Sequence, residues 1–302
     1  MIHYTGSTVK QMKKAAACYV MVFPFLICFL IFIVFPVLIA CILSFTDFNM
    51  LEMPKFVLFD NYFRMFLEDD SFITAVRNTL VFAVITGPLS YVLCLGFAWL
   101  INELNPVVRA ILTLILYLPS MSSMIFVIWL YIFSGDQYGM INSILMKLGL
   151  AEEPIQWLTD STTIMPVIMI VQLWMSLGTS FLSFIAGLQN VNVELYEAAA
   201  VDGVNNRYQE LFLVTLPAMG PQLLFGAVMQ ISGTFSISGL CITLAGFPST
   251  DNAALTVVTH IQDMGGTRME LGYACAISVV LFIFVLVVNQ VIQSVIRKYA
   301  DV

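Results

Sequence analysis

Six long runs without a single charged residue constrain this sequence more than any other feature. Each run is longer than the roughly 20 apolar residues that cross the hydrocarbon core of a bilayer as a helix. Hydrocarbon offers no hydrogen-bonding partner to the backbone, so runs this continuous are typical of helices and not of barrel strands. The runs are Ala15–Thr46, Asn78–Asn102, Ala110–Gly135, Ser161–Val193, Leu211–Thr250 and Leu271–Ile296. Only 10% of the 302 residues are charged, whereas soluble domains carry about 25%. The sequence therefore predicts an all-α membrane protein with six transmembrane helices.

The spans do not fill the runs completely, because several runs contain turn residues. We predict one transmembrane domain over residues 15–300, preceded by a polar tail, residues 1–14, and containing a loop, residues 188–216, between spans 4 and 5. The predicted spans are about 15–45, 78–102, 108–134, 163–187, 217–244 and 271–296. Three lysines precede the first run, as in a signal peptide. However, the hydrophobic part of a signal peptide is only about 7–15 residues long, so we expect a span there.

Six spans place both termini on the same side of the membrane. If that side is the cytoplasm, seven Lys and Arg residues lie inside and five lie outside, which agrees with the positive-inside rule. In the same topology the outer loops hold thirteen acidic residues and carry a net charge of −8. We therefore predict a multi-pass membrane protein with both termini in the cytoplasm.

No set of reactive side chains in the sequence predicts catalysis or metal binding. The six cysteines fall in or beside the spans without CxxC spacing, and the two histidines, His3 and His260, are far apart in sequence. The cysteines are expected to be small packing residues. Charges inside a span mark ion pathways in many secondary transporters, and none lies in the middle of these runs. A Na⁺ site built from carbonyls would leave no such mark, so a self-sufficient Na⁺-coupled carrier remains an alternative. A membrane-embedded enzyme lacks any catalytic group.

A short polar segment, LYEAAAVDGVNNRYQELFLVTLP (Leu195–Pro217), stands between spans 4 and 5. Good helix formers predict a helix over residues 193–200, and two glutamates suit its N-terminal half. Asp202 and Gly203 then end that helix, since glycine accepts the positive φ of a sharp turn. A second short helix is expected at about Asn205–Leu213. The segment is either a specific contact surface, in which small alanines let another backbone approach closely, or an ordinary amphipathic connector.

The same segment resembles the EAA loop of the permease subunits of bacterial binding-protein-dependent ABC importers. That loop has the pattern EAA, three residues, Gly, nine residues and Ile-x-Leu-Pro. Glu197-Ala198-Ala199 and Gly203 match it, and so does Val214-Thr215-Leu216-Pro217, although ten residues instead of nine separate the two parts. The similarity continues through FDNYFRMF, YGMINSIL, IQWLTDSTTIMPVIMIVQLWMSLG, GLQNVNVELYEAA and GFPSTDNAALTVVTHI. The last two stretches are similar to the carbohydrate branch, which contains the maltose and glycerol-phosphate permeases. The likeness is to the compact six-helix form, without extra N-terminal spans or a large outer domain.

The resemblance implies the type I ABC importer permease fold, with a cytoplasmic EAA coupling helix, in the bacterial plasma membrane. It implies as partners a second homologous permease subunit, two copies of an ATPase subunit, an extracytoplasmic solute-binding lipoprotein, a sugar substrate and membrane lipid, and no nucleic acid. ATP and Mg²⁺ belong to the ATPase, so this chain is expected to bind no cofactor and not to be an enzyme. The coupling helix would sit in a cleft of the ATPase and transmit its closure to the spans. The implied coupling residues are Glu197, Ala198, Ala199, Asp202 and Gly203.

Polar residues on the faces of spans 4 and 5 are the candidates for the sugar path. In span 5, Gln230, Thr234 and Ser238 form one row at helical spacing, and Ser232 and Ser236 form a neighbouring row. Such rows either hold helices together or line a watery site, and the sequence leaves both interpretations open. Sugar-contacting positions of the maltose permease, counted from the EAA motif, imply further candidates in both spans. The full set is Gln172, Ser176, Thr179, Met229, Gln230, Ser232, Gly233 and Ser236.

Overall fold

The computed structural model describes residues 16–122 and 125–300, and the predicted tail 1–14 lies outside them. Helices make up most of this part of the chain. They are α1 (Ala16–Phe29), α2 (Phe35–Leu43), α3 (Asp60–Leu67), α4 (Asp70–Asn102), α5 (Pro106–Met121), α6 (Val127–Ile132), α7 (Met140–Lys147), α8 (Ile164–Met175), α9 (Thr179–Asn190), α10 (Val193–Val201), α11 (Arg207–Glu210), α12 (Leu216–Ala218), α13 (Gly220–Phe235), α14 (Gly239–Ala245), α15 (Val257–Gln262) and α16 (Leu271–Ala300). Three π-helical turns (Leu30–Val34, Leu211–Thr215 and Asp263–Thr267) and a 3₁₀ turn (Thr250–Asn252) lie between them.

Within the described residues, four helical stretches are long and apolar enough to cross a membrane. They are Tyr19–Leu43, Asp70–Asn102, Ile164–Asn190 and Leu271–Lys298. A fifth is formed if α11–α13 counts as one span despite a bend of 83°. The second stretch begins at Asp70 and not at Asn78, where the prediction places the start of the span. The prediction stopped at the last charge, Arg77, whereas the helix continues outward until the Asp69 side chain caps it by accepting from Phe72 N.

The third predicted span, 108–134, is divided into two shorter helices. α5 is 16 residues long and therefore spans about 24 Å, less than the roughly 30 Å of a hydrocarbon core. Helical geometry ends at Ser122, whose φ of −115° and ψ of 116° are extended. α6 then begins at Val127. Hydropathy does not detect this break, because the residues around it are as apolar as a helix would need.

Spans 4 and 5 are both interrupted, span 4 near its middle and span 5 towards its C-terminal end. In span 4, α8 ends at Met175 and α9 begins at Thr179, and the residues between them, Ser176–Gly178, are not helical. In span 5, α13 ends at Phe235 and α14 begins at Gly239, so Ser236–Ser238 are unwound. Non-helical backbone at membrane depth is tolerated where protein or a water-filled cavity supplies hydrogen-bonding partners. The fold must therefore supply hydrogen-bonding partners to the backbone at both breaks.

α4 is the central helix of the fold. Its buried side chains contribute to four apolar clusters along its length: Phe72 and Ala75 pack with α16, Phe82 with α8 and α14, Ala83 with α13, and Cys94 and Ala98 with α9. Lipid tails are as apolar as these side chains, so close packing and interhelical hydrogen bonds, more than the hydrophobic effect, hold such helices together. α1 and α2 differ, since the most apolar stretch of Tyr19–Leu43 has no buried residue within the described chain.

A small outer structure connects the first two spans. β1 (Thr46–Asp47) pairs antiparallel with β2 (Lys55–Phe56), and α3 follows. The buried side chain of Asn61 donates to Ser44 O at 2.9 Å and to Thr46 O at 3.0 Å. These bonds satisfy the carbonyls of Ser44, the C-cap of α2, and of Thr46 in β1, and they hold α3 against the C-terminal end of α2.

Candidate functional site

The predicted coupling loop, residues 188–216, starts within α9, which continues to Asn190. It contains α10, which is one residue longer than the predicted helix. The N-cap of α10 is Asn192, whose Oδ1 accepts from Glu194 N at 3.1 Å. This bond satisfies one of the donors that a helix N-terminus leaves free. No residue of α10 is buried. α10 therefore lies on the surface of the described chain, with its side chains available to another molecule.

Gly203 ends α10 in a Schellman turn. Val204 N donates to Ala199 O at 3.0 Å, and Gly203 N donates to Ala200 O at 3.2 Å. This pair of bonds requires a left-handed residue after the C-cap, and Gly203 has a φ of +90°. A Cβ at Gly203 would meet no atom within 4 Å. Glycine is thus required there by backbone conformation and not by lack of space.

The second half of the loop contains the extra residue of the EAA pattern. The predicted helix Asn205–Leu213 is present as α11, which passes directly into the π-helical turn Leu211–Thr215 and then α12. A π turn closes hydrogen bonds from residue i to i+5, one residue more than an α turn. The tenth residue between Gly203 and Val214 is therefore taken up by a wider turn, without breaking the helix. At Met219, where φ is −97° and ψ is 15°, the helix axis then bends by 83° into α13.

Polar contacts connect the two halves of the coupling loop and join the loop to the end of α4. Within the loop, the hydroxyls of Tyr196 and Thr215 lie 3.1 Å apart, and Thr215 Oγ1 donates to Glu210 O at 3.2 Å. These bonds connect α10 to the π turn. A second contact joins Arg207 Nη1 to Glu103 Oε1, just after the end of α4, at 3.0 Å. Both ends of that salt bridge are partly exposed, so solvent screening leaves it worth only about 0–1 kcal/mol.

A polar cavity of about 290 Å³ lies beneath the coupling loop. The inner ends of α4 and α9 form one side of it, and the coupling loop forms the other. Its lining residues are Trp99, Asn102, Glu103, Leu188, Gln189, Val191, Val193, Tyr196, Arg207, Glu210, Leu211 and Thr215. The coupling loop and the helices α4 and α9 therefore face each other across an open cavity.

The predicted coupling residues differ in exposure. Glu197, Ala198, Asp202 and Gly203 are exposed, and Ala199 is half-buried. Within the described part of the chain Glu197 has no salt bridge or side-chain hydrogen bond. Its carboxylate is therefore free to pair with a cation on another molecule. The roles of all five residues stay predictions.

Gln230 brings the two broken spans together. Its Nε2 donates to Ser176 O at 3.2 Å, a carbonyl at the break of span 4. Its Oε1 accepts from Ser90 Oγ of α4 at 3.1 Å, and Cys94 Sγ lies 3.3 Å from the same Ser176 carbonyl. Gln230 is half-buried, and both ends of its side-chain amide are hydrogen-bonded within the protein. The bond to Ser176 O satisfies a carbonyl that the break in span 4 leaves without a helical partner.

The two polar rows of span 5 face different surroundings. Thr234 is buried and its hydroxyl bonds back to Gln230 O at 2.7 Å, so the row with Gln230 packs against neighbouring helices. In the other row Ser236 is exposed and Ser232 half-buried, and both Met229 and Gly233 beside them are exposed. The two rows thus differ in exposure, and which of them lines the sugar path stays a prediction.

In span 4 the candidates lie on both sides of the break. Gln172 is half-buried on α8, Ser176 is buried within the break, and Thr179 is exposed at the start of α9. Of the eight candidates, only Gln230 and Ser176 are joined by a described side-chain hydrogen bond. The sequence analysis missed the partners that α4 supplies, because Ser90 and Cys94 resemble ordinary small packing residues in an apolar run.

A buried polar network that no sequence pattern indicates lies at the N-terminal end of α4. His260 Nε2 and Asp69 Oδ2 lie 2.9 Å apart, and Tyr273 OH donates to the same oxygen at 2.7 Å. We call Asp69, His260 and Tyr273 the outer network. Burial disfavours the charged form of Asp69, but the bonds from Tyr273, from Phe72 N and from His260 outweigh it and hold the pKa of Asp69 below its ordinary value. No spacing in the sequence connects three residues this far apart.

A family model described as "Binding-protein-dependent transport system inner membrane component" matches residues 93–299, which include the coupling loop and both breaks. This chain belongs to that family. It is therefore a multi-pass inner-membrane component of a transport system and not an enzyme. Membership confirms the predicted permease fold and the predicted resemblance to permease subunits of binding-protein-dependent importers.

Relatives with named cargoes cover almost the whole chain. The arabinooligosaccharides transport system permease protein AraP of Bacillus subtilis (strain 168) is 33% identical over 299 residues, 96% of this chain and 94% of the relative. The lactose transport system permease protein LacF of Rhizobium radiobacter is 30% identical over 86% of this chain and 87% of its own length.

A solved structure has the same fold. It is that of a bacterial ABC transporter involved in the import of the acidic polysaccharide alginate, and its matching chain superposes with a TM-score of 0.80 and 25% identity, over 97% of this chain and 99% of that one. A second structure, of the alginate transporter in complex with an alginate pentasaccharide-bound periplasmic protein, matches with the same TM-score over 96% of this chain.

Proposed function

We propose that this chain is the transmembrane subunit of an ATP-driven ABC importer that moves a sugar or oligosaccharide from an extracytoplasmic binding protein into the cytoplasm by alternating access. The family and the named cargoes of AraP and LacF support the transport class and the carbohydrate class. The observation that carries the proposal is α10, a surface helix with no buried residue, ended by a left-handed glycine within an EAA motif.

Energy for transport enters through the coupling loop. α10 docks in a cleft of an ATPase subunit, where Ala198 and Ala199 allow close approach and the Glu197 carboxylate pairs with a cationic side chain. Gly203 sets the angle between α10 and α11. Two ATPase subunits hold the ATP and Mg²⁺, and this chain binds no cofactor of its own. Closure of the ATPases moves the loop as a rigid body, a domain-level change of the kind that alternating access requires.

The sugar passes along the breaks of spans 4 and 5. Ser232, Gly233, Ser236 and Met229 form an exposed strip on α13 and the unwound residues that follow it, which faces a second, homologous permease in the assembled importer. Gln172 and Thr179 lie on either side of the other break. Discontinuous helices supply both side-chain hydroxyls and free backbone groups near the midplane, and these can replace water around a polar substrate.

The coupling loop faces the cytoplasm in this arrangement, and both termini lie on the same side. A binding lipoprotein docks on the opposite, acidic face, as supported by the periplasmic protein named in the alginate complex. Orientation can be tested in a cysteine-free variant with single cysteines at the exposed positions Glu152 and Asn205. A membrane-impermeant maleimide added to intact cells should label Glu152→Cys and not Asn205→Cys. The reverse labelling would refute the orientation.

Reconstitution tests the proposed function directly. The chain should purify together with a second permease and an ATPase subunit, and the complex in proteoliposomes should take up a labelled oligosaccharide only with ATP and the loaded binding protein. The matched control is the same complex with a catalytically inactive ATPase. Sodium-driven uptake by this chain alone would contradict the proposal and support a secondary carrier.

A further inference from the structure

α15 belongs to the outer loop between spans 5 and 6, yet it packs against the break of span 5. Thr256, the N-cap of α15, donates through Oγ1 to Ile237 O at 3.0 Å. At the other end of α15, Gln262 Nε2 donates to Ser238 Oγ at 3.3 Å. Both contacts fall on the unwound residues Ser236–Ser238. α15 therefore lies directly beside the backbone that span 5 leaves open.

Several buried contacts fix the position of α15. Thr256 and Thr259 form a capping box at its start. The backbone N–H of Val257 donates to Thr79 Oγ1 of α4 at 3.0 Å, and His260, which is buried, contacts Asp69 in the outer network. A side chain at the end of this helix thus extends from a rigid base, which is what a binding residue needs if its geometry is to select among ligands.

The side chain of Gln262 has unused hydrogen-bonding capacity. It is exposed, and its one described bond is the long contact with Ser238. A glutamine amide has two N–H donors and an oxygen that accepts two bonds, so in the described part of the chain one donor and the whole acceptor are free. Sugar hydroxyls donate and accept together, and a neutral amide beside the Ser238 hydroxyl is suited to them.

We propose that Gln262 contacts the transported sugar at the break of span 5 and contributes to selection among sugars by reading one hydroxyl group. The proposal rests on the proposed function, because it requires a carbohydrate to pass the break. A site that hydrogen-bonds a hydroxyl discriminates against an analogue that lacks it, since the site's polar group is then left without a partner. Ser236 and Ser238 supply neighbouring contacts, and the outer network acts only by positioning α15.

The test uses the complete importer in proteoliposomes with its binding protein. Labelled arabinotriose, lactose and diacetylchitobiose are offered to the wild type, and monodeoxy derivatives of the sugar taken up most are then compared with the parent. Gln262→Leu removes the amide at similar volume, and Gln262→Glu keeps the acceptor. Gln137→Leu is the matched control, because Gln137 is also an exposed glutamine of the outer loops.

Wild type should prefer the parent sugar over one deoxy derivative by about fivefold, the value of a single neutral hydrogen bond. Gln262→Leu should lower parent uptake by about that factor and reduce the preference to near one, with ATPase stimulation by the loaded binding protein unchanged. Gln262→Glu should keep part of the preference, and Gln137→Leu all of it. Wild-type discrimination in both Gln262 variants would overturn the inference while leaving the proposed function intact. Uptake of none of the three sugars by the wild type would count against the proposed function itself.

Discussion

Substitution of Gly203 by alanine tests the coupling loop with little disturbance elsewhere. The φ of Gly203 is +90°, and an added Cβ would meet no atom within 4 Å. The alanine variant should therefore lose stability only through backbone strain, which is about 1–2 kcal/mol for a non-glycine residue in the left-handed conformation. Loss of flexibility in the unfolded chain offsets about 0.4–1 kcal/mol of this. The net destabilisation should be about 1 kcal/mol, too small to unfold the chain but enough to shift the preferred angle between α10 and α11.

Gly149 provides the matched control on the opposite side of the protein. It ends α7 in the same Schellman turn, with Leu150 N bonded to Leu145 O at 2.9 Å and Gly149 N to Met146 O at 3.1 Å. Its φ is +68° and a Cβ there would also meet nothing within 4 Å. Gly149→Ala should therefore cost about the same free energy of unfolding without touching the coupling loop.

The assay compares both variants in the reconstituted importer. Thermal unfolding in detergent should show similar small losses of stability for the two. ATP-driven sugar uptake should fall several-fold for Gly203→Ala and stay near wild type for Gly149→Ala. Gly203→Asn should retain more uptake than the alanine variant, because asparagine tolerates left-handed backbone better. Equal uptake by Gly203→Ala and Gly149→Ala would refute the reasoning, since strain alone would then explain any defect.

Three further substitutions test contacts seen in the structure. Asp69→Ala leaves Tyr273 OH, His260 Nε2 and Phe72 N without their carboxylate partner and should lower the free energy of unfolding by about 3 kcal/mol. Because the pKa of Asp69 is depressed on folding, its stabilising effect is present at neutral pH and lost as pH falls below about 4, so wild type and variant should converge in acid unfolding curves. Gln230→Leu removes the donor to Ser176 O and should lower the free energy of unfolding by about 1 kcal/mol, which is measurable as a lower thermal midpoint. Gln230→Glu should not restore the wild-type midpoint, because a carboxylate cannot donate a hydrogen bond. Tyr196→Phe breaks the bond to Thr215 and should raise hydrogen exchange in α10 without changing exchange in α4; unchanged exchange in α10 would contradict the attachment described for the loop.

Local sequence was sufficient to predict the first helix of the coupling loop and the glycine turn that ends it. Helix formers followed by Asp202-Gly203 predicted a helix over 193–200, and the structure has Val193–Val201 with Gly203 at positive φ. The bonds that end this helix join residues at most five apart, so the information lies within a few residues. The roles assigned to Glu197 and its neighbours stay predictions.

The breaks in spans 3, 4 and 5 could not be predicted in the same way. Ser176–Gly178 and Ser236–Ser238 lie in charge-free sequence that hydropathy treats as continuous helix. Whether the chain can leave helical geometry there depends on partners from other helices. Gln230 and Cys94 supply them to Ser176 O, and Thr256 supplies one to Ile237 O.

Composition and motif by themselves determined that this chain crosses a membrane several times and carries an EAA-like loop. The length of an apolar span and the residues that end a helix both depend only on residues that are adjacent in sequence. Tertiary structure alone decided which polar residues pack and which stay exposed. Thr234 and Ser236 are two residues apart in sequence, yet one is buried and the other is open. It also brought Asp69, His260 and Tyr273 together across more than 200 positions. The physical reason is that a buried hydrogen bond depends on where helices that are distant in sequence meet, and a local sequence pattern does not predict those positions.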